Sequence, residues 1–87
     1  MEFYLYILKC NDESYYIGHT ENLEKRISEH NMGLYKCYTF NRRPLKLVYA
    51  EKFTSRLEVL AAERKIKKWT RQKKERLIMF GWTGFMK

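Results

Sequence analysis

From Phe3 to Leu8 every position is apolar or aromatic. The run is too short for a helix that would pack, and it reads as a strand covered on both faces. Tyr4 and Tyr6 alternate in it with Leu5 and Ile7. Asn11-Asp12-Glu13-Ser14 favours a turn, Tyr15-Tyr16-Ile17 resumes β-forming residues, and Gly18 closes the run; together these predict a hairpin. Because side chains alternate along a strand, Tyr6 and Tyr16 share a face only if the connecting loop has an odd number of residues, on the order of three or five.

The pattern then changes period. Thr20 is an expected N-cap, Glu21 and Glu24 suit the first helical turn, and Gly33 suits the C′ position, giving a helix over about 21–32. Leu23 and Ile27 form its apolar stripe, with Arg26 and His30, four apart, along an exposed flank. Residues 32–44 follow neither period and hold Lys36, Arg42 and Arg43, an expected exposed basic loop. Leu45, Leu47, Tyr49 and Phe53 alternate with Lys46, Val48 and Lys52 and predict a third strand. Ser55-Arg56-Leu57-Glu58 has the form of a capping box opening a second helix, about 56–69. Its apolar residues fall on two sides, Leu57, Leu60 and Ala61 against Val59, Ala62, Ile66 and Trp69, so burial on both is expected. Thr70 could cap a third helix from Arg71 to about Phe80. The order β-β-α-β-α-α predicts an α+β fold, a three-stranded antiparallel sheet flanked by three helices, with residues 1–87 as one domain.

Composition narrows the class. A chain of 87 residues buries only about 60–65% of its unfolded surface, so aromatic side chains must supply much of a small core. Cys10 and Cys37 are too few for a disulfide framework and match no zinc spacing; with no basic-apolar-small leader, a cytoplasmic protein with reduced thiols is expected. No apolar run approaches the roughly 20 residues needed to span a bilayer.

The net charge of +8 gains meaning from its location. Residues 1–63 carry nine basic and nine acidic side chains, whereas residues 64–76 carry eight basic and one acidic. A positive field confined to one segment favours a phosphate-bearing partner, with Lys67, Lys68, Arg71, Lys73 and Lys74 as candidate contacts beside Lys36, Arg42 and Arg43 of the loop.

Residue type and spacing leave the remaining candidates open. Glu63, four after Val59 and three before Ile66, is a carboxylate along an apolar helix side: it is either a salt-bridge partner of Arg64, Lys67 or an arginine elsewhere, or the one protein ligand of a Mg²⁺ ion otherwise held by waters and substrate phosphate. Arg26 and His30 are either solvated or a phosphate-gripping pair. Tyr6 and Tyr16 are either packing residues or water-positioning groups.

Here the chain resembles the GIY-YIG nucleases, in particular the small stand-alone bacterial members. Tyr4-Leu5-Tyr6 stands where that family has Gly-Ile-Tyr, Tyr16-Ile17-Gly18 matches the second half of its motif, Arg26 and His30 follow at its spacing on the next helix, and Glu63 lies inside a later helix, as that family's metal-binding glutamate does. Tyr4 departs from the family glycine, and no asparagine matches the family's late polar position after Glu63. The resemblance implies a metal-dependent endonuclease hydrolysing phosphodiester bonds, with one Mg²⁺ or Mn²⁺ ion on Glu63. Catalytic roles would fall to Tyr6, Tyr16, Arg26, His30 and Glu63, and Gly18 would let backbone approach closely. DNA is expected ahead of RNA, no membrane is expected, and a homodimer or a larger repair partner could supply specificity. The competing reading is a basic DNA- or RNA-binding module without catalysis.

Overall fold

In the computed structural model, residues 2–34 and 39–85 are described, with side chains through residue 81. Lys36 and Cys37, named above from sequence, lie outside the described residues. Three strands, β1 (Phe3–Lys9), β2 (Tyr15–Thr20) and β3 (Lys46–Phe53), form an antiparallel sheet in the order β2-β1-β3. The apolar β1 is therefore central, which explains why its whole sequence is oily: each face of it is covered. The helices are α1 (Leu23–Asn31), α2 (Arg56–Lys67) and α3 (Arg71–Phe85), the last interrupted at Gly81, whose φ of 77° breaks the helical path. This is the expected α+β order.

The two faces of the sheet make two cores. Phe3, Leu5, Ile7, Ile17 and Tyr49 pack with Val59, Ala62 and Ile66 of α2 and Leu77 of α3. Tyr6, Leu8, Cys10 and Leu45 pack on the opposite face, with Leu23 and Ile27 of α1 and Tyr16 laid against them. The sheet is thus a middle layer, with α1 on one side and α2 and α3 on the other.

Four expectations are corrected. Thr20 does not cap α1; Asn22 does, its side chain accepting from the Lys25 amide, while Thr20 ends β2 and bonds the Asn22 backbone. Glu21 therefore precedes the helix. Strict alternation in the third strand fails because Ile7 pairs with Tyr49 but Leu8 with Leu47. The extra residue, Val48, is a bulge that turns Tyr49 toward α2 and leaves Leu45 and Leu47 on the Tyr6 side. The helix α2 is buried on one side only: Val59, Ala62 and Ile66 are inside, whereas Leu57 is 79% exposed. The third helical segment runs beyond Phe80 to Phe85. Ser55 caps α2 and Thr70 caps α3 through the Glu58 and Lys73 amides, as the sequence implied.

Candidate active site at the edge of the sheet

In the first hairpin Lys9 pairs with Tyr15, leaving a five-residue loop, Cys10–Ser14. The loop is odd, and the tyrosines share a face: Leu8 lies opposite Tyr16, Tyr6 is two positions from Leu8, and the Tyr6 and Tyr16 ring centroids are 6.4 Å apart. Gly18 lies opposite Tyr6. A Cβ on Gly18 would sit 2.5 Å from the Tyr6 hydroxyl and 2.7 Å from its Cζ. The glycine leaves room for a side chain, the Tyr6 ring crossing β2.

His30, expected on an exposed flank, is 2% exposed. It occupies the last turn of α1, which lies over the tyrosine face. Its Nε2 is 3.2 Å from the Tyr6 hydroxyl and its Nδ1 2.9 Å from Thr39 Oγ1. The Tyr16 ring meets the imidazole edge to face, with centroids 5.2 Å apart. Burial pushes the His30 pKa down, repulsion from Arg26 pushes it further, and Glu29 opposes weakly. A neutral imidazole donates at one ring nitrogen and accepts at the other, so Tyr6 and Thr39 together satisfy both.

Glu63 lies on the other face of the sheet. His19 follows Gly18 and so points away from Tyr6, with Ile17, toward α2. Its Nδ1 is 2.6 Å from Glu63 Oε1, and Lys67 Nζ is 3.1 Å from Oε2. The Glu63 side chain is 16% exposed. Burial acts to raise its pKa, but the hydrogen bonds from His19 and Lys67 outweigh it and hold the carboxyl below the usual carboxylate value. Glu63 is therefore an ionised, part-buried carboxylate. Its partners are His19 and Lys67; neither tyrosine nor Arg26 is among them. Among the described residues no three acidic, histidine or cysteine side chains gather to cage a metal. One ionised carboxylate beside an imidazole suits an ion that keeps most of its waters.

What joins the two faces is the edge strand itself. A cleft of about 120 Å³ at the end of β2 is lined by Phe3, His19, Thr20, Glu21, Arg26 and Arg56. Arg26, on α1, reaches it from the tyrosine side, and His19, bonded to Glu63, from the α2 side. Arg26 and His19 line this cleft, and Glu63, bonded to His19, stands behind it rather than in the lining.

The basic candidates divide. Arg42 is paired with Asp12 at 2.9 Å, and Arg43 donates to the Phe40 and Asn31 carbonyls while stacking on Phe40. Arg71 lies over the Tyr15 ring, pairs with Glu75 and donates to the Glu13 carbonyl, tying α3 to the hairpin. These three guanidinium groups hold the chain together. Lys67 is engaged by Glu63, and Lys73 lies 5.0 Å from the Trp69 ring centre. Lys68 is exposed and Lys74 half-buried.

Two site residues escaped the sequence reading. His19 carried a signal, since alternation after Gly18 sends it to the face of the second helix. Thr39 carried none: it stands in a loop without periodicity, yet it is fully buried under His30.

Residues 2–76 match the protein family described as the GIY-YIG catalytic domain. The chain is similar to a UPF0213 protein of Clostridium perfringens, 55% identical over 75 residues, covering 86% of this chain and 81% of that one. It is 45% identical over 75 residues to UPF0213 protein YazA of Bacillus subtilis, covering 86% and 76%. Among solved structures it is similar to a UPF0213 protein of Bacillus halodurans, with 39% identity, a TM-score of 0.61 and coverage of 91% and 84%. A protein of E. faecalis is similar at 38% identity and a TM-score of 0.65, with the same coverage.

Proposed function

The chain belongs to the GIY-YIG catalytic-domain family, and from that premise we propose that it is a metal-dependent endonuclease hydrolysing phosphodiester bonds in DNA. The observation that carries the reading is the cleft at the end of β2, which Arg26 lines together with His19, the partner of Glu63.

Roles follow from exposure and partners. Tyr6 is 1% exposed, with its hydroxyl against His30, so the attacking water is met by the half-buried Tyr16. The water oxygen forms a bond to phosphorus as the bond to the leaving oxygen breaks. Tyr16 orients the water, and Tyr6 and His30 behind it supply a buried acceptor system for its proton. Arg26, half-buried on α1, grips the phosphate and offsets the charge that grows on its oxygens. Glu63 and the adjacent His19 would hold one Mg²⁺ or Mn²⁺ ion, which when bound neutralises charge on the leaving oxygen. Lys68, Lys73 and Lys74 supply contacts to phosphates beyond the site, and a homodimer or larger repair partner supplies the choice of DNA structure.

The experiment is cleavage of linear, flapped and branched DNA, with RNA hairpins alongside, in Mg²⁺. Tyr16→Phe is expected to fold as wild type and to cleave about 10²–10⁴-fold more slowly; equal cleavage would remove Tyr16 from the mechanism. A second reading, a basic binding module without catalysis, is favoured by one observation, that both Glu63 oxygens already have partners, Oε1 in His19 and Oε2 in Lys67. Binding without cleavage on every structure tested would decide for it.

A further inference from the structure

Arg56, which the sequence places only in the capping box of the second helix, also stands at the candidate site. It is the first residue of α2, following the Ser55 cap, and it lines the same cleft as Arg26 and His19. The two arginines arrive from helices on opposite faces of the sheet and meet around the edge strand. Glu21 is the one carboxylate in that lining. The Arg56 side chain is exposed, and no hydrogen bond or ion pair engages it among the described residues. Arg42, Arg43 and Arg71, by contrast, spend their guanidinium groups on internal carbonyls, carboxylates and rings. Two guanidinium groups around a concave site repel one another, and a phosphate between or beside them relieves that repulsion.

We propose that Arg56 is a phosphate-binding residue of this site, holding a phosphate next to the one gripped by Arg26. The nucleic-acid strand would then run along the outer edge of β2, from the α1 side, over His19, toward the start of α2. Arg26 faces the phosphate that reacts; Arg56 positions its neighbour and fixes the direction in which the strand lies. This rests on the nuclease reading for the identity of the ligand, and the planar fork of arginine suits such a phosphate better than a lysine would.

Arg56 contacts a group that does not change charge during the reaction, so its loss should weaken binding and spare the chemical step. The position is exposed and alanine is a good helix former, so Arg56→Ala is expected to melt as wild type. Duplex and flapped DNA binding is followed by fluorescence anisotropy in EDTA across a salt series, for wild type, Arg56→Ala, Arg56→Lys and Arg64→Ala. Arg64 is a second exposed arginine of α2 outside the cleft lining. Arg56→Ala is expected to weaken binding about tenfold, the scale of one charge-assisted contact, with Arg64→Ala losing less. The salt slope should fall by about 0.9 for a lost duplex phosphate contact. Arg56→Lys should restore the slope and only part of the affinity. In Mg²⁺, KM should rise for Arg56→Ala while kcat stays within about twofold.

Unchanged affinity and slope in Arg56→Ala, or an equal loss in Arg64→Ala, would overturn the proposal. Because the binding arm contains no metal, it reads Arg56 even if wild type cuts nothing. Arg56-dependent binding without cleavage would sustain this inference while overturning the nuclease reading.

Discussion

Gly18 and Tyr6, opposite one another across β2 and β1, compete for one volume, since a Cβ on the glycine would lie 2.5 Å from the tyrosine hydroxyl. Real Cβ contacts do not come so close, so the Tyr6 ring must move if any side chain replaces the hydrogen. That ring is buried beneath α1 and bonded to His30, leaving it little room. Gly18→Ala is therefore expected to destabilise by about 1–3 kcal/mol through overpacking. For a chain of this size that lowers Tm by about 4–8 °C per kcal/mol. Tyr6→Leu alone should also destabilise, but the double variant should lose less than the sum, because the shorter side chain clears the clash. Additive losses in thermal melts would show that the two residues do not share the space.

A second expectation concerns acid. The folded pKa of His30 lies below its ordinary value, chiefly through burial. Above about pH 6.5 the imidazole is neutral in both folded and unfolded chains and costs nothing. As pH falls below that, the unfolded chain takes up a proton that the folded one refuses, and stability declines until the folded pKa is passed. Glu63 adds a separate loss at lower pH, because its folded pKa is also depressed, so its contribution is present above the ordinary carboxylate value and disappears as pH falls through the folded one. Tm should hold level from about pH 8 to 6.5 and fall below it, and His30→Gln, less stable throughout, should flatten the upper part of that fall. A wild-type Tm indifferent to pH between about 5 and 7 would contradict the buried neutral histidine.

Much of this was legible in the chain, for reasons that can be named. The central strand announced itself because Phe3–Leu8 is oily at every position, and the order β-β-α-β-α-α followed from the changes of period. The shared face of Tyr6 and Tyr16 needed only the parity of the hairpin loop. Three features were hidden because they depend on contacts distant in sequence. The bulge at Val48 was hidden because Leu47-Val48-Tyr49 is apolar at successive positions, so the sequence does not say which of them is the extra residue. His30 looked solvated because its hydrogen-bond partners, Tyr6 and Thr39, come from a strand and an aperiodic loop. The placement of Glu63 on the face away from the tyrosines was hidden too: spacing along α2 gives the buried stripe but not which side of the sheet it covers. That same placement makes His19 the partner of Glu63, as alternation after Gly18 implies by sending it to the face of the second helix.

The partners seen for the basic side chains sharpen the affinity expectation. Arg71 and Lys67 have structural partners, so the sequence-independent phosphate contacts of the basic segment should reside in Lys68, Lys73 and Lys74. Replacing those three with glutamine should weaken binding similarly for unrelated DNA sequences and reduce the salt slope by about 0.9 per lost contact. Arg71→Ala should act differently, lowering Tm because the hairpin and α3 come apart where it bridges them. A triple variant with wild-type affinity and slope would leave the segment a solubility feature.

The claim that matters most is that Arg26 and Glu63 serve one reaction at the edge of β2. It is tested most directly by measuring Mg²⁺-dependent cleavage of branched and plasmid DNA by wild type, Arg26→Ala and Glu63→Gln, with melting curves for each with and without the ion. Glu63→Gln keeps the shape but loses the charge that His19, Lys67 and an ion would share, so a modest loss of Tm is expected together with loss of cleavage. Binding of the ion to the native state should raise the wild-type Tm by an amount that grows with RT ln(1 + [Mg²⁺]/Kd), and Glu63→Gln should lose that rise. Arg26→Ala should keep the metal-dependent rise in Tm and lower cleavage more than binding, with kcat at least about 10²-fold below wild type. Cleavage that survives in both folded variants would contradict a shared site. Wild-type protein that cuts none of these substrates in Mg²⁺ or Mn²⁺ would contradict the nuclease reading itself.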